Sequence, residues 1–303
     1  MSSTKQQQRV ILITGANKGL GFEVVKKLVN QSSNSTNDVI LLGSRDIKRG
    51  QEALTKLGSP SNVHVLQLDT SSKESIIHAK DEIKQKHGGQ LDVIINNAAI
   101  APATNTSETA RETMATNYYG IKLLNDNLSP LLRENGRIVN VASEVGAWTL
   151  HGVTKELQDK YISPTLTVEE LDRIVEEFIP SLDSNTQDKL GYKSPSRFLV
   201  YGVSKSAVLA LTQIEARQQS GSNHIFVYAV CPGYCSTDLN HHGAGSRSPE
   251  LGAESILYVV NTDHKNLKQG GFYQDGKELP LIYLDEAKIK GIRELQEKAK
   301  AGK

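Results

Sequence analysis

Short apolar runs alternate with amphipathic stretches through most of the chain. Val10-Ile-Leu-Ile13 is a continuous apolar run of strand length, and Leu20, Val24, Val25 and Leu28 follow it at helical spacing over 20–30. The rhythm repeats. An apolar run at 39–42 precedes a helical stretch at 47–57, and one at 63–68 precedes a helix over 73–86. A fourth strand at 91–95 leads into a long helix expected over 108–132, and 137–141 supplies a fifth strand. Strands alternating with helices in this way predict an α/β fold: a doubly wound parallel sheet with helices on both faces. The Ser- and Asn-rich 30–38 stretch reads as a loop.

One segment breaks the rhythm. Between about 148 and 195 there is no strand-like run. Thr167 followed by Glu170 is a capping-box pattern opening an amphipathic helix, 155–161 fits a shorter one, and Pro164, Pro180 and Pro195 punctuate the region. The segment is expected to be a helical insertion within one domain spanning 1–303. The charged stretch from 285 to the end reads as a surface helix or frayed tail.

Composition narrows the function. With 35 basic and 34 acidic residues the net charge is +1, which gives no general affinity for nucleic acid or an anionic membrane. Cys231 and Cys235 are the only cysteines, so a disulfide framework is excluded; they read as a buried strand-end cysteine and a loop cysteine, and no metal site is expected. The polar first eight residues lack the apolar core of a secretory signal, no run is long enough to span a bilayer, and the last residues match no lipidation signal. A cytoplasmic location is the expectation.

Gly15, Gly19 and Gly21 lie directly between the first strand and first helix, where glycines let a backbone turn tightly against a pyrophosphate at a helix N-terminus. The spacing G-x-x-x-G-x-G differs from the commonest dinucleotide fingerprint, and taken alone it also describes a simple tight turn. The second strand ends at Arg45-Asp46. Arg45, with Lys18 from the glycine turn, suits the 2′-phosphate of NADPH; Asp46 leaves room for NADH. Asp69, after the third strand, suits the adenine amino group, and the small residues of Asn96-Asn-Ala-Ala99 suit packing beside adenosine. Each of these also reads as a cap or turn residue.

Tyr201 and Lys205 are four apart and share one helix face. Such a pair is common, but here Ser143 ends a preceding strand, where open α/β sheets bind ligands. An ammonium beside a phenol favours the phenolate, so Tyr201 would exchange a proton with a carbonyl oxygen as hydride reaches carbon. Ser143 would orient that oxygen. Asn117 would hold a water linking Lys205 to solvent, or make only a local backbone contact.

Together these motifs resemble the short-chain dehydrogenase/reductase family. The resemblance covers roughly 9–273 and rests on Thr14-Gly-Ala-Asn-Lys-Gly-Leu-Gly21, Asp69, Asn96-Asn-Ala-Ala99, Asn117, Ser143, Tyr201-Gly-Val-Ser-Lys205 and Cys231-Pro-Gly-Tyr-Cys-Ser-Thr237. It implies a Rossmann-type fold, with Asn117, Ser143, Tyr201 and Lys205 as the catalytic tetrad. It further implies a cofactor site built from Gly15, Asn17, Lys18, Gly19, Leu20, Gly21, Arg45, Asp69, Thr70, Asn96, Ala98, Tyr201 and Lys205. Lys205 would reach the nicotinamide ribose, and Pro232, Gly233 and Thr237 the nicotinamide amide. Asn17-Lys-Gly, Ser44-Arg-Asp46 with Lys48-Arg-Gly-Gln, and the insertion are similar to the monomeric NADPH-dependent carbonyl reductases and the plant salutaridine and menthone reductases. That likeness implies NADPH, a small-molecule carbonyl substrate and a monomer.

Two departures stand out: Ala99 replaces the usual Gly, and Glu144 after Ser143 puts a carboxylate near the substrate mouth. Val145, Trp148, Tyr234 and Leu239 are candidate pocket residues, or ordinary packing. The expected activity is NADPH-dependent reduction of a ketone, aldehyde or quinone. The alternatives are an NADP-dependent alcohol dehydrogenase for one pathway metabolite and a non-catalytic NADP(H)-sensing protein.

Overall fold

The structure, a computed structural model, describes residues 8–32, 38–193, 196, 198–219 and 224–283. The expected tail beyond 285 and Pro195 lie outside the described residues. Among the described residues eight strands form one sheet in the order β3-β2-β1-β4-β5-β6-β7-β8. They are β1 Val10–Ile13, β2 Val39–Ser44, β3 Val63–Gln67, β4 Leu91–Asn96, β5 Leu132–Val141, β6 Phe226–Val230, β7 Phe272–Gln274 and β8 Lys277–Leu279. All neighbours pair in parallel except β7 and β8. The chain reverses direction across the sheet between β1 and β4, the topological switch point of doubly wound folds.

The strands are buried on both faces, so they read as unbroken apolar runs. On one face Ile11, Ile13, Ile40, Leu42, Val139 and Val141 pack under α1 (Gly19–Ser32) and α10 (Pro249–Asn261). On the other, Leu12, Leu41, Ile94 and Ile138 pack with Ile76 and Ile83 of α3 (Lys73–Lys86). Asp46 caps α2 (Ile47–Lys56) and Ser72 caps α3.

The long helix expected over 108–132 is broken. It begins as α4 (Ser107–Met114), widens into a π turn over Ala115–Tyr119, continues as α5 (Gly120–Leu128) and ends in a 3-10 turn. β5 starts five residues before the expected 137, at Leu132, with a register shift against β4 between Leu91 and Val93.

The insertion is helical as expected, and the helices begin earlier, with α6 (Glu144–His151). α7 is Lys155–Tyr161 and α8 Val168–Ser184, where Thr167 and Glu170 form the expected capping box. Pro180 does not end α8, because it lies on the exposed face, as does Glu176 one turn back, whose carbonyl loses its partner. α8 packs on α4 and on α9 (Leu199–Gln218), and its Asp172 also ties it to the π turn and α5, accepting from Tyr118 Oη at 2.7 Å and pairing with Lys122. Among the described residues no helix is long and apolar enough to cross a membrane.

Candidate active site

The glycine turn has two physical reasons to be glycine. Gly15 and Gly19 adopt φ of 62° and 57°, in the left-handed region. Space is also short: a β-carbon at Gly15 would lie 3.0 Å from Ala98 Cα, and one at Gly21 would lie 2.6 Å from Asn97 Nδ2. Thr14 ties this turn to the chain after β4. Its hydroxyl accepts from the Asn97 and Ala98 backbone N–H groups at 2.9 Å each, and the Asn97 amide donates to Thr14 O at 2.8 Å. A β-carbon at Gly19 would lie 3.5 Å from Thr237 Cγ2, so the loop after β6 closes the other side. Gly15, Gly19, Gly21, Ala98 and Thr237 therefore line one cradle at the N-terminus of α1. Asn17 and Leu20 are half-buried in the same turn.

The charged candidates divide. Arg45 is exposed at the end of β2. Asp46 is engaged with its own helix, accepting from Arg49 N at 3.1 Å with Arg49 Nε at 3.6 Å. Lys18 reaches across the cradle instead of toward Arg45 and meets Asp238 at 2.7 Å. Both partners are about 60% exposed (60% and 62%), so the pair contributes little and re-pairs at small cost. Asp69 Oδ1 accepts from Ser71 N and Oγ at 2.9 and 2.6 Å, while Thr70 is buried with its carbonyl beside Gly120. Asn96 departs from the expectation. Its side-chain amide is buried under α5 and α9, donating to Asn125 and Asn140 Oδ1 at 2.8 Å each.

Ser143, Tyr201 and Lys205 come together at the C-terminal end of β5. Ser143 caps α6, its hydroxyl accepting from Val145 N at 3.2 Å, and it hydrogen-bonds the Tyr201 phenol. Two glycines let α6 and α9 approach closely enough for this. A β-carbon at Gly146 would lie 2.7 Å from Lys205 C, and one at Gly202 would lie 2.0 Å from Thr149 Oγ1. Lys205, only 2% exposed, donates to Val141 O at 2.7 Å with Nζ 5.7 Å from the Tyr201 ring centroid.

The expected lowering of the phenol pKa is not what this geometry gives. Burial, then the nearby Cys231, push Tyr201 well above the usual phenol range, and the Ser143 hydrogen bond opposes them. The Lys205 ammonium is spent on a backbone carbonyl, and burial lowers its own pKa to about 8.

Asn117 sits in the π turn, a feature frequent at functional sites. Its side chain does not bond its own helix's backbone. It pairs reciprocally with the backbone of Ile100, Oδ1 accepting from N and Nδ2 donating to O at 2.9 Å each, and it donates to Ser204 Oγ at 3.0 Å. It thereby pins the loop after β4 to the Tyr201 helix.

Of the pocket candidates, Val145 and Trp148 are half-buried, with Trp148 edge-on to Tyr283 at 6.2 Å. Tyr234 is 54% exposed and Leu239 is exposed on the 234–247 loop, while Glu144 is buried.

The sequence reading missed Asn105 and the contacts of the two cysteines it had placed. Asn105 anchors α9, accepting from Val200 N at 3.1 Å and donating to Ser196 O at 2.8 Å. Cys231 accepts from Glu144 N at 3.4 Å and Gly233 N at 3.3 Å, buckling the Ser143 turn to the Gly233 turn. Burial pushes its thiol up to about 12, which suits this role and not nucleophilic chemistry. Cys235 is buried too, donating to Pro232 O at 3.1 Å. A thiol beside a glycine turn is the only sequence signal the two cysteines carry, and Asn105 carries none.

Known proteins match this arrangement. Residues 9–155 match the family model described as short chain dehydrogenase. Carbonyl reductase (NADPH) 1 of Bos taurus is 37% identical over 259 residues, covering 83% of this chain and 90% of that protein. The Mus musculus protein of the same name is 36% identical over 292 residues, covering 92% of this chain and 100% of its own. Salutaridine reductase from Papaver somniferum superposes with a TM-score of 0.77 at 27% identity, covering 88% of this chain and 99% of that one. Menthone neomenthol reductase from Mentha piperita gives 0.72 at 28%, covering 88% and 98%. With this sheet order, this cradle and this identity over nearly the whole of its relatives, the chain belongs to the short-chain dehydrogenase family.

Proposed function

We propose that the protein is an NADPH-dependent carbonyl reductase that converts a small or medium apolar ketone, aldehyde or quinone into the alcohol. The observation that carries this reading is the convergence of Ser143, Tyr201 and Lys205 at the end of β5, one strand away from the glycine cradle. The cradle fits a dinucleotide: Gly15 and Gly19 turn the backbone through the left-handed region, and α1 opens into the turn they make. The exposed Arg45 cation, with Asp46 turned to its helix, favours a 2′-phosphate over a bare ribose hydroxyl. The names of the bovine and mouse relatives support the same cofactor and reaction class.

NADPH, when bound, supplies the hydride. Ser143 holds the substrate carbonyl oxygen, and Tyr201 gives that oxygen its proton. The phenolate left behind is held by the Ser143 hydrogen bond and recovers a proton from solvent, with the Lys205 ammonium 5.7 Å from its ring. Asn117 sets the loop and helix that frame the site, its side chain joining Ile100 to Ser204. Pro232, Gly233 and Thr237 would hold the nicotinamide end, and Val145, Trp148, Tyr234 and Leu239 would form the apolar side of the substrate site. With α8 laid over α4 and α9 and tied through Asp172 to Tyr118 and Lys122, the chain acts as a monomer.

The test follows NADPH oxidation against quinones, aromatic aldehydes, dicarbonyls and cyclic ketones, with NADH alongside. Turnover with NADPH that far exceeds that with NADH is expected. NADPH binding without turnover of any carbonyl would overturn the reading.

A further inference from the structure

We propose that Arg247 is a positioning residue for the nicotinamide half of the cofactor, acting through the turn at 231–237; this rests on the reading of that turn given above. The turn leaves β6 without regular pairing of its own, and Arg247 supplies what it lacks. Its backbone N donates to Tyr234 O at 2.7 Å, and its carbonyl accepts from Ser236 N at 2.9 Å. Its side chain lies directly against Gly233, whose φ is 78°: a β-carbon there would lie 2.8 Å from Arg247 Cδ and 3.0 Å from Nη1. Gly233 is thus glycine for its backbone and for the guanidinium packed on it.

The guanidinium is itself held from behind. Nη1 and Nη2 form a fork on Asp275 at 2.7 and 3.0 Å, and Nη2 also donates to Leu251 O at 2.8 Å. Asp275 N donates to Ser255 Oγ at 2.9 Å, and Ser255 Oγ donates to Cys231 O at 2.9 Å. A chain of contacts therefore runs from Gly233 through Arg247, Asp275 and Ser255 back to Cys231, enclosing the turn. Arg247 Nε is buried with no partner, so the guanidinium sits where the fork and the glycine place it and not where all its own donors are satisfied. Lysine offers one point charge and no planar fork, and cannot reproduce this wedge.

Arg247 touches the 231–237 turn and none of Gly15, Arg45 or Asp69, so its effect should fall on one half of the dinucleotide. Titration calorimetry of R247K and D275N with NADPH is expected to show about tenfold weaker binding in each. Binding of adenosine 2′,5′-bisphosphate, which has the 2′-phosphate but no nicotinamide, should be unchanged. Because both residues act through one fork, the double variant should bind NADPH no more weakly than either single one. D275N keeps the arginine and carries the test if R247K fails to fold. Equal weakening for both ligands, or for neither, overturns the proposal. Wild-type protein that binds neither ligand sinks the cofactor reading itself.

Discussion

Helix α9 carries two buried polar clusters against the same sheet, and they have opposite fates. At its front, Lys205 donates to Val141 O, and Tyr201 stands half-buried beside Ser143. Toward its rear, Asn140, the residue before Val141, donates to Thr212 Oγ1 at 3.0 Å and to Glu215 at 3.4 Å. Asn125 donates to both Glu215 oxygens at 2.9 and 3.1 Å, and Asn96 bridges Asn125 to Asn140. Burial perturbs both clusters strongly, lowering Lys205 to about 8 and raising Glu215 to about 7. Yet only the front cluster opens toward the cradle; the rear is sealed, its Asn96 Oδ1 without a partner. A perturbed ionisable group marks burial first. Access and a second reacting group are what turn burial into a site.

Variants can separate the two ends. The largest effect is expected from Tyr201→Phe, which should lower kcat by about 10³-fold while the melting temperature holds; persistent turnover would end the proton-donor assignment. Asn140→Leu should do the reverse. It strands Glu215 and Asn96 among apolar groups and should cost ~4 kcal/mol in urea unfolding, with the kcat of the folded fraction little changed.

The pH dependences should differ in sign. Folded Glu215 keeps its proton between pH 4.5 and about 7, where the unfolded chain has released it. Stability present at low pH is therefore lost as pH rises through that window, by about 3 kcal/mol. Glu215→Gln should flatten this loss, which unfolding curves at a series of pH values would reveal. Lys205 works the other way. Its folded value, about 8, lies below the ordinary 10.5, so the folded chain releases its proton first and stability rises above about 8. Between about pH 8 and 9 the gain is ~1 kcal/mol, and Lys205→Met should abolish it.

The front cluster was legible in the sequence and the rear one was not. Ser143, Tyr201 and Lys205 are reactive residue types at characteristic strand-end and helical positions. The β1–β4 strands and α1–α3 helices were legible because their apolar periodicity is strong. Asn96 was read with the adenosine group because of the motif around it. The register pairs Asn96 with Asn140 on neighbouring strands, which puts both amides on one face. That pairing could be anticipated only by aligning two strands not yet known to be adjacent. The π turn left no trace, since Ala115–Tyr119 contains neither Gly nor Pro. Its causes are distant in sequence: Asn117 meeting Ile100, and Gly120 pressed on Thr70. Pro180 misled because a proline's effect depends on which helix face it occupies, and only packing decides that.

The last strand of the sheet has a consequence for the chain's life in a crowded solution. β8 is three residues long, runs against the direction of the other seven strands, and exposes Lys277 and Glu278. At the opposite margin β3 exposes His64 and Gln67. Both margins thus offer short, polar-studded rows of backbone donors and acceptors, a poor template for recruiting a strand from another molecule. The apolar interior that makes the sheet stable is thereby kept from seeding aggregates.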